Sequence, residues 1–283
     1  MADETGPPND TKALFRSCGT CSQALGCVVD RRFGNPAIDY ERALSRLAGG
    51  IANRGHQCGL LWGSSMGVGL EAGQRCSTPH EAVGLALVAS RQLHASLEAH
   101  AQTVTCRDIT RHRLDTIRGR AAMMFDTLRH GGLDNTRCFV LAEAWTPDAI
   151  LAAEDGLDVQ QWHACKPKSC ASEVVLAMGG SDDEAVAVAG FGGGLGLSGN
   201  TCGALAAAVW MKGLRWVREH GGSSPGPRTD TGDEQTLQAF EAQTGGAYAC
   251  EAICGQRFDS VDAHTRFLDE GGCRELIDVL AES

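Results

Sequence analysis

Eight of the thirteen cysteines in this chain fall into two sets of four that share one order and much of one spacing. The first set is Cys21, Cys58, Cys106 and Cys138; the second is Cys170, Cys202, Cys250 and Cys273. From second to third member the step is 48 residues in both. A shift of 144 residues lays Cys58 on Cys202 and Cys106 on Cys250, and it also lays Gly50, Gly55, Gly59 and Gly69 on Gly194, Gly199, Gly203 and Gly213. The first cysteine needs a shift of 149 and the fourth one of 135, so length changes fall between the motifs. Self-similarity at a fixed offset marks a duplicated unit. The 283 residues accommodate two domains of ordinary size. We therefore expect two tandem domains, 1–150 and 151–283, related by a pseudo-two-fold axis as a fused homodimer, with self-association of the whole chain also open.

Hydrophobic residues make up 43% of the chain, enough for packed cores. No apolar run reaches the ~18 residues of a membrane helix. The first residues, Met1 to Asp10, are polar and acidic and do not read as an export signal. A cytoplasmic protein is the expectation. In a reducing compartment recurrent cysteines point to metal or redox chemistry rather than to disulfide staples. An odd number of them also cannot all pair.

The net charge of −10 is unevenly divided. Residues 1–150 hold 16 Lys/Arg against 15 Asp/Glu, and residues 151–283 hold 9 against 20. Neither half offers the basic patch that nucleic-acid binding needs. The acidic second half serves solubility, or docks on a basic redox partner.

Local patterns favour an all-α fold. Ile38 to Ala52 has helical spacing, and Thr78-Pro79-His80-Glu81 is a helix start opening Ala82 to Ala101. Ala204 to Arg218, Gln235 to Ala242 and Val261 to Leu268 read as further helices. Gly221 to Gly232 reads as a flexible loop, and Thr146-Pro147 to Lys168 as a partly packed connection. Gly59, Gly63 and Gly67 share one helical face, which suits either close helix packing or a wall against an inorganic cluster. Gly194-Leu-Gly-Leu-Ser-Gly199 fits G-x-G-x-x-G, but no second strand with an acidic end follows and the first half lacks the pattern. A dinucleotide site is rejected. Backbone N–H groups of this loop could instead donate to an anion or to cluster sulfides.

The order lone cysteine, glycine-rich loop, Cys-Gly, glycine-spaced helix and two further cysteines resembles the C-GCAxxG-C-C family of redox-active proteins. The likeness is closest in Phe191-Gly-Gly-Gly-Leu-Gly-Leu-Ser-Gly-Asn-Thr-Cys-Gly-Ala204. It continues in Cys58-Gly-Leu-Leu-Trp-Gly63, Thr105-Cys-Arg-Asp-Ile-Thr110 and Ala249-Cys-Glu-Ala-Ile-Cys254. Ala207 replaces the spaced glycine, Cys254 is additional, and Cys138 rests on spacing alone. Similar domains accompany an iron–sulfur site in split-Soret cytochromes. No C-x-x-C-H follows here, so haem chemistry is not carried over. The resemblance implies redox work at Cys21, Cys58, Cys106, Cys138, Cys170, Cys202, Cys250 and Cys273, with Gly59 and Gly203 beside the second cysteine of each set.

Four thiolates suit a 2Fe–2S or 4Fe–4S cluster, and equally a tetrahedral zinc. Dispersed ligands fit a cluster inside a helical bundle better than the paired C-x-x-C spacing usual for zinc. The alternatives are a metal-free thiol–disulfide oxidoreductase or sulfur-handling enzyme, and a zinc-stapled binding module. Cys18 with Cys21, and Cys250 with Cys254, are possible redox pairs. Cys27 reads as a small buried hydrophobe, Cys76 and Cys165 as incidental thiols, and His56 as a surface loop residue. Trp62, Trp145, Trp162, Trp210 and Trp216 read as core or interface residues.

Overall fold

The computed structural model describes residues 11–159, 164–226 and 229–283. The amino-terminal decapeptide, Trp162 and two residues of the Gly221–Gly232 loop lie outside that description. Fifteen α-helices are present among the described residues. The first half contributes α1 (Thr11–Cys18), α2 (Cys21–Phe33), α3 (Ile38–Ala43), α4 (Gly59–Arg75), α5 (Pro79–Ala101), α6 (Cys106–Thr110), α7 (Ile117–Arg129) and α8 (Arg137–Leu157). The second contributes α9 (Cys170–Ala177), α10 (Asp182–Ala187), α11 (Gly203–Glu219), α12 (Asp233–Thr244), α13 (Cys250–Cys254), α14 (Val261–Asp269) and α15 (Arg274–Glu282). The only extended pairing among the described residues is two isolated bridges, Gln57 with Thr105 and Thr201 with Ala249, 144 residues apart. None of these helices is long and apolar enough to cross a membrane.

Thr78 opens α5 as expected, with its hydroxyl on the Glu81 N–H and the Glu81 carboxylate returning to the Thr78 N–H. Two expectations need correction. The segment Ile38 to Ala52 is not one helix: α3 gives way to a 3-10 turn at Leu44–Leu47, and the chain then reverses hand. Gly49, Gly50, Ile51, Ala52 and Asn53 have φ of 67°, 76°, 60°, 47° and 62°. The second half does the same at Gly193 to Leu197, with φ of 63°, 84°, 70°, 59° and 63°. Each non-glycine residue in that region costs ~1–2 kcal/mol. Full burial of Ile51 and Leu195 in the core offsets this. The turns close with matched bonds, Ala52 N–H to the Arg46 carbonyl and Gly196 N–H to the Gly190 carbonyl, both 2.8 Å.

The second correction concerns Thr146-Pro147 onward. This stretch is helical to Leu157 and buries Ala149, Ala153, Gly156 and Leu157, chiefly against α5. Pro147 has no N–H to offer the Glu143 carbonyl, and beside it Thr146 donates its hydroxyl to the Ala142 carbonyl at 2.7 Å. The boundary at residue 150 therefore falls inside α8.

The glycine face of α4 packs on α2. A β-carbon on Gly63 would stand 2.0 Å from the Ser22 carbonyl oxygen and 2.8 Å from the Gly26 nitrogen. Both atoms are backbone and cannot turn aside. Gly63→Ala is expected to destabilise the protein by about 1–3 kcal/mol, read as a lower urea midpoint at unchanged slope.

One continuous core runs through both halves, from Leu25, Trp62 and Trp145 to Phe191, Trp210 and Phe240. Trp216 is only partly buried at its edge. Contacts across the halves are reciprocal. Gly69 of α4 lies on the Ala187 carbonyl and Gly213 of α11 lies on the Ala43 carbonyl, each pair of counterparts 144 residues apart. Gln57 donates its N–H to the Thr201 hydroxyl at 3.2 Å, joining two residues that are themselves counterparts.

Candidate functional site

All eight repeated cysteines stand at the start of a helix. Cys21, Cys106, Cys170 and Cys250 are the first residues of α2, α6, α9 and α13. Cys58, Cys202 and Cys273 cap α4, α11 and α15, and Cys138 is the second residue of α8. The first turn of a helix carries unsatisfied N–H groups and the positive end of the dipole, so it favours a thiolate.

The helix starts are drawn together by backbone pairing. Cys58 N–H donates to the Val104 carbonyl at 2.8 Å and Cys106 N–H to the His56 carbonyl at 2.7 Å. In the second half Cys202 N–H donates to the Tyr248 carbonyl at 2.8 Å and Cys250 N–H to the Asn200 carbonyl at 2.5 Å. The left-handed turns complete the frame: the N–H of Gly49 is directed at the Cys21 sulfur and that of Gly193 at the Cys170 sulfur.

Each set converges on its own. Cys21, Cys106 and Cys138 lie within electrostatic range of Cys58, so that a charge on one disfavours a charge on the next. A cavity of about 350 Å³ opens beside Cys21, Cys106 and Cys138. It is also lined by Gly49 and by Pro225 and Gly226 of the other half. The glycine- and proline-rich segment read as a flexible loop thus seats Pro225 in a buried position, with Ser224 accepting from Gln23 Nε2 at 3.0 Å. The second set gathers five thiols rather than four. Cys254 lies 3.8 Å from Cys250 and 3.6 Å from Cys273, Cys170 and Cys202 are near, and a cleft of about 330 Å³ runs past Cys254 and Cys273.

At six of the eight repeated thiols, all but Cys250 and Cys273, where the hydrogen bond with Cys254 leads, the dominant influence on acidity is burial. It pushes the Cys138 and Cys170 thiols up to about 12 and raises Cys21, Cys58, Cys106 and Cys202, against the pull of the N–H donors at Cys21, Cys58, Cys170 and Cys202. Without a bound cation they are neutral thiols. Among the described residues no three His, Cys, Asp or Glu side chains are drawn tightly enough to coordinate one metal ion as they stand.

Gly59 and Gly203 differ in what they face. A β-carbon on Gly59 would sit 2.7 Å from the Cys21 sulfur, so this glycine leaves room for the thiol. On Gly203 it would stand 1.8 Å from the Phe191 carbonyl, where the left-handed turn begins. The glycine face therefore serves helix packing along most of its length and sulfur only at its first member.

Other expectations change. The structure pairs Cys18 not with Cys21 but with Cys27, whose sulfur is 3.1 Å away. Cys27 is buried, yet it is more than a small hydrophobe, since it also donates to Glu41 Oε2 at 2.9 Å. His56 is half-buried and stacks on Tyr248 at 3.7 Å between ring centroids, and burial, with Arg107 and Arg54 nearby, lowers it to about 4. Cys76 and Cys165 are partly exposed, and Cys165 donates to Asp262 Oδ1 at 3.2 Å. The segment Ala185 to Ala189 belongs to α10 and a following 3-10 turn, so no strand precedes the G-x-G-x-x-G stretch.

No curated protein and no solved structure matches this chain. The model of the family described as "Putative redox-active protein (C_GCAxxG_C_C)" matches it twice, over residues 19–143 and 168–283. The chain belongs to this redox-active C_GCAxxG_C_C family and carries its unit in two tandem helical domains.

Proposed function

We propose that the two cysteine sets hold iron–sulfur clusters and that the protein transfers electrons or supports a redox enzyme. Cys21, Cys58, Cys106 and Cys138 would hold one, and Cys170, Cys202, Cys250 and Cys273 the other. The observation that carries this reading is the meeting of four thiols, each on a separate helix N-terminus, twice in one chain. Bound there, a cluster supplies one-electron chemistry at a potential set by burial and by hydrogen bonds to sulfur. The helix starts and the Gly49 and Gly193 N–H groups would stabilise the negative thiolates.

Metal-free exchange by these same eight thiols is the weaker alternative, because buried neutral thiols are poor nucleophiles. Zinc has one observation in its favour at the second set. Thiolates around one zinc stand about 3.8 Å apart, from Zn–S bonds of ~2.3 Å in a tetrahedron. The Cys250–Cys254 and Cys254–Cys273 separations of 3.8 and 3.6 Å match that edge, although these three thiols do not close into a three-ligand site as they stand.

The reciprocal contacts support a pseudo-two-fold relation between the halves. Thirteen unpaired thiols suit a reducing compartment such as the cytoplasm. The acidic second half suits a basic redox partner.

Anaerobically purified protein should be brown and contain iron and acid-labile sulfide in equal amounts. Colourless protein without metal sinks the cluster reading in favour of dithiol chemistry, and stoichiometric zinc without a redox response selects the structural role.

A further inference from the structure

Cys18 and Cys27 lie outside the two repeated sets. Shifted by 149 residues, the offset that aligns Cys21 with Cys170, they fall on Pro167 and Leu176, so the second half has no counterpart. Neither stands at a helix start: Cys18 is the last residue of α1, and Cys27 lies in the middle of α2. Their sulfurs are nevertheless 3.1 Å apart, about 1 Å longer than a disulfide bond.

The two thiols are unequally placed. Cys18 is half-exposed, flanked by exposed Ser17 and Gly19. Cys27 is 2% exposed, and its sulfur faces Cys18 on one side and the Glu41 carboxylate on the other. Behind Glu41 lies Asp30, 1% exposed, and the two carboxyls face each other with the Ala37 N–H directed at Asp30. Two carboxyls brought together away from water disfavour a second charge, so such a pair is suited to hold a proton between them.

We propose that Cys18 and Cys27 are a redox-active dithiol that exchanges with disulfides from outside the protein, Cys18 attacking, Cys27 resolving and Glu41 receiving the Cys27 proton. In the first step the Cys18 thiolate attacks one sulfur of R–S–S–R, forming a mixed disulfide and expelling one thiolate, which takes a proton from solvent. In the second, Cys27 gives its proton to Glu41 and attacks the Cys18 sulfur. The Cys18–Cys27 bond forms, and the second R–S⁻ leaves and takes up that proton. The dithiol loses two electrons and the external disulfide gains them, giving two R–SH. The Cys27 S–H can serve Cys18 or Glu41 in turn: directed at Cys18 it draws that thiol down to about 7, near the optimum for an attacking group, and once Cys18 is in the mixed disulfide it turns to Glu41.

The probe is glutathione with its disulfide, applied to the full chain at graded ratios, followed by acid quenching, alkylation and peptide mass spectrometry. Wild-type protein should form a Cys18–Cys27 disulfide that dithiothreitol reverses. Cys27→Ser should accumulate glutathione on Cys18 at least tenfold above wild type, while Cys18→Ser should leave Cys27 unmodified. Glu41→Gln should slow closure of the mixed disulfide about tenfold or more, as loss of a positioned base does. Free thiols at both positions across the whole series overturn the proposal, as does glutathione landing on Cys76 or Cys165 in preference to Cys18. Loss of iron in Cys18→Ser overturns it as well, by making Cys18 a ligand. A metal-free wild-type preparation bears on the cluster reading alone and leaves this test intact.

Discussion

Replacing Arg46 with methionine should cost about 3–5 kcal/mol of stability, the range for leaving one partner of a buried ion pair uncompensated. Arg46 belongs to the first half and Asp233 to the second, and their side chains are 11% and 6% exposed. Arg46 donates Nε to Asp233 Oδ2 at 3.2 Å and Nη1 to the Gly226 carbonyl at 3.2 Å. Methionine keeps most of the apolar stem. It leaves Asp233 buried with the Thr231 hydroxyl, 2.8 Å from Oδ1, the start of α12 and, farther off, the Lys212 ammonium, whose Nζ is bonded to the Gly232 carbonyl. None of these replaces the charged hydrogen bonds of the guanidinium. Adding Asp233→Asn should recover most of the loss, since the remaining polar groups no longer enclose an unpaired charge. Urea melts of the two single variants and the double variant measure this directly. A loss below 1 kcal/mol would place the pair with ordinary surface salt bridges. Because one core runs through both halves, each melt should show a single transition.

If each set holds a cluster as proposed, Cys202→Ser should remove that of the second set and spare the first, and Cys58→Ser should do the reverse. Each variant is expected to retain about half the iron and sulfide of wild type. Cys202 caps α11 and Cys58 caps α4, so each is fixed by its own helix and by pairing to the loop before its set's third cysteine. Serine is close in size, which limits the structural cost, but it is a far weaker ligand for a soft metal. Complete loss in both variants would mean that the two sets depend on one another, and unchanged content would refute the ligand assignment. The Pro225–Gly226 segment borders the first cavity from the opposite half. Iron and sulfide are therefore best read beside a melt, so that loss of the fold and loss of a ligand are told apart.

Much of this molecule is legible in local chemistry. The capping box at Thr78, the runs that became α11, α12 and α14, and the 144-residue register depend on residues near one another in the chain. The register was also the strongest guide to the site, because a spacing kept twice between thiols survives only where the same loops bring the same helix starts together. Cys138 shows the limit. Its spacing suggested membership, but α8 and the shared cavity place it beside Cys21 and Cys106.

Where local reading failed, a distant partner outweighed a local preference. Ile51 and Ala52 carry no left-handed signal, and a β-branched residue argues against one. Burial of Ile51 in a core built from both halves holds the turn, and the turn aims the Gly49 N–H at Cys21. Pro147 looks like a helix breaker, yet packing against α5 carries α8 through it. Cys27 looks like a core residue until α1 and α3 bring Cys18 and Glu41 to its sulfur. By itself the sequence determined the helical class and the duplication, because periodicity and spacing are local and repeated. The tertiary structure alone decided which thiols face each other, which stay protonated and which reach solvent, because those depend on burial and on partners far away in the chain.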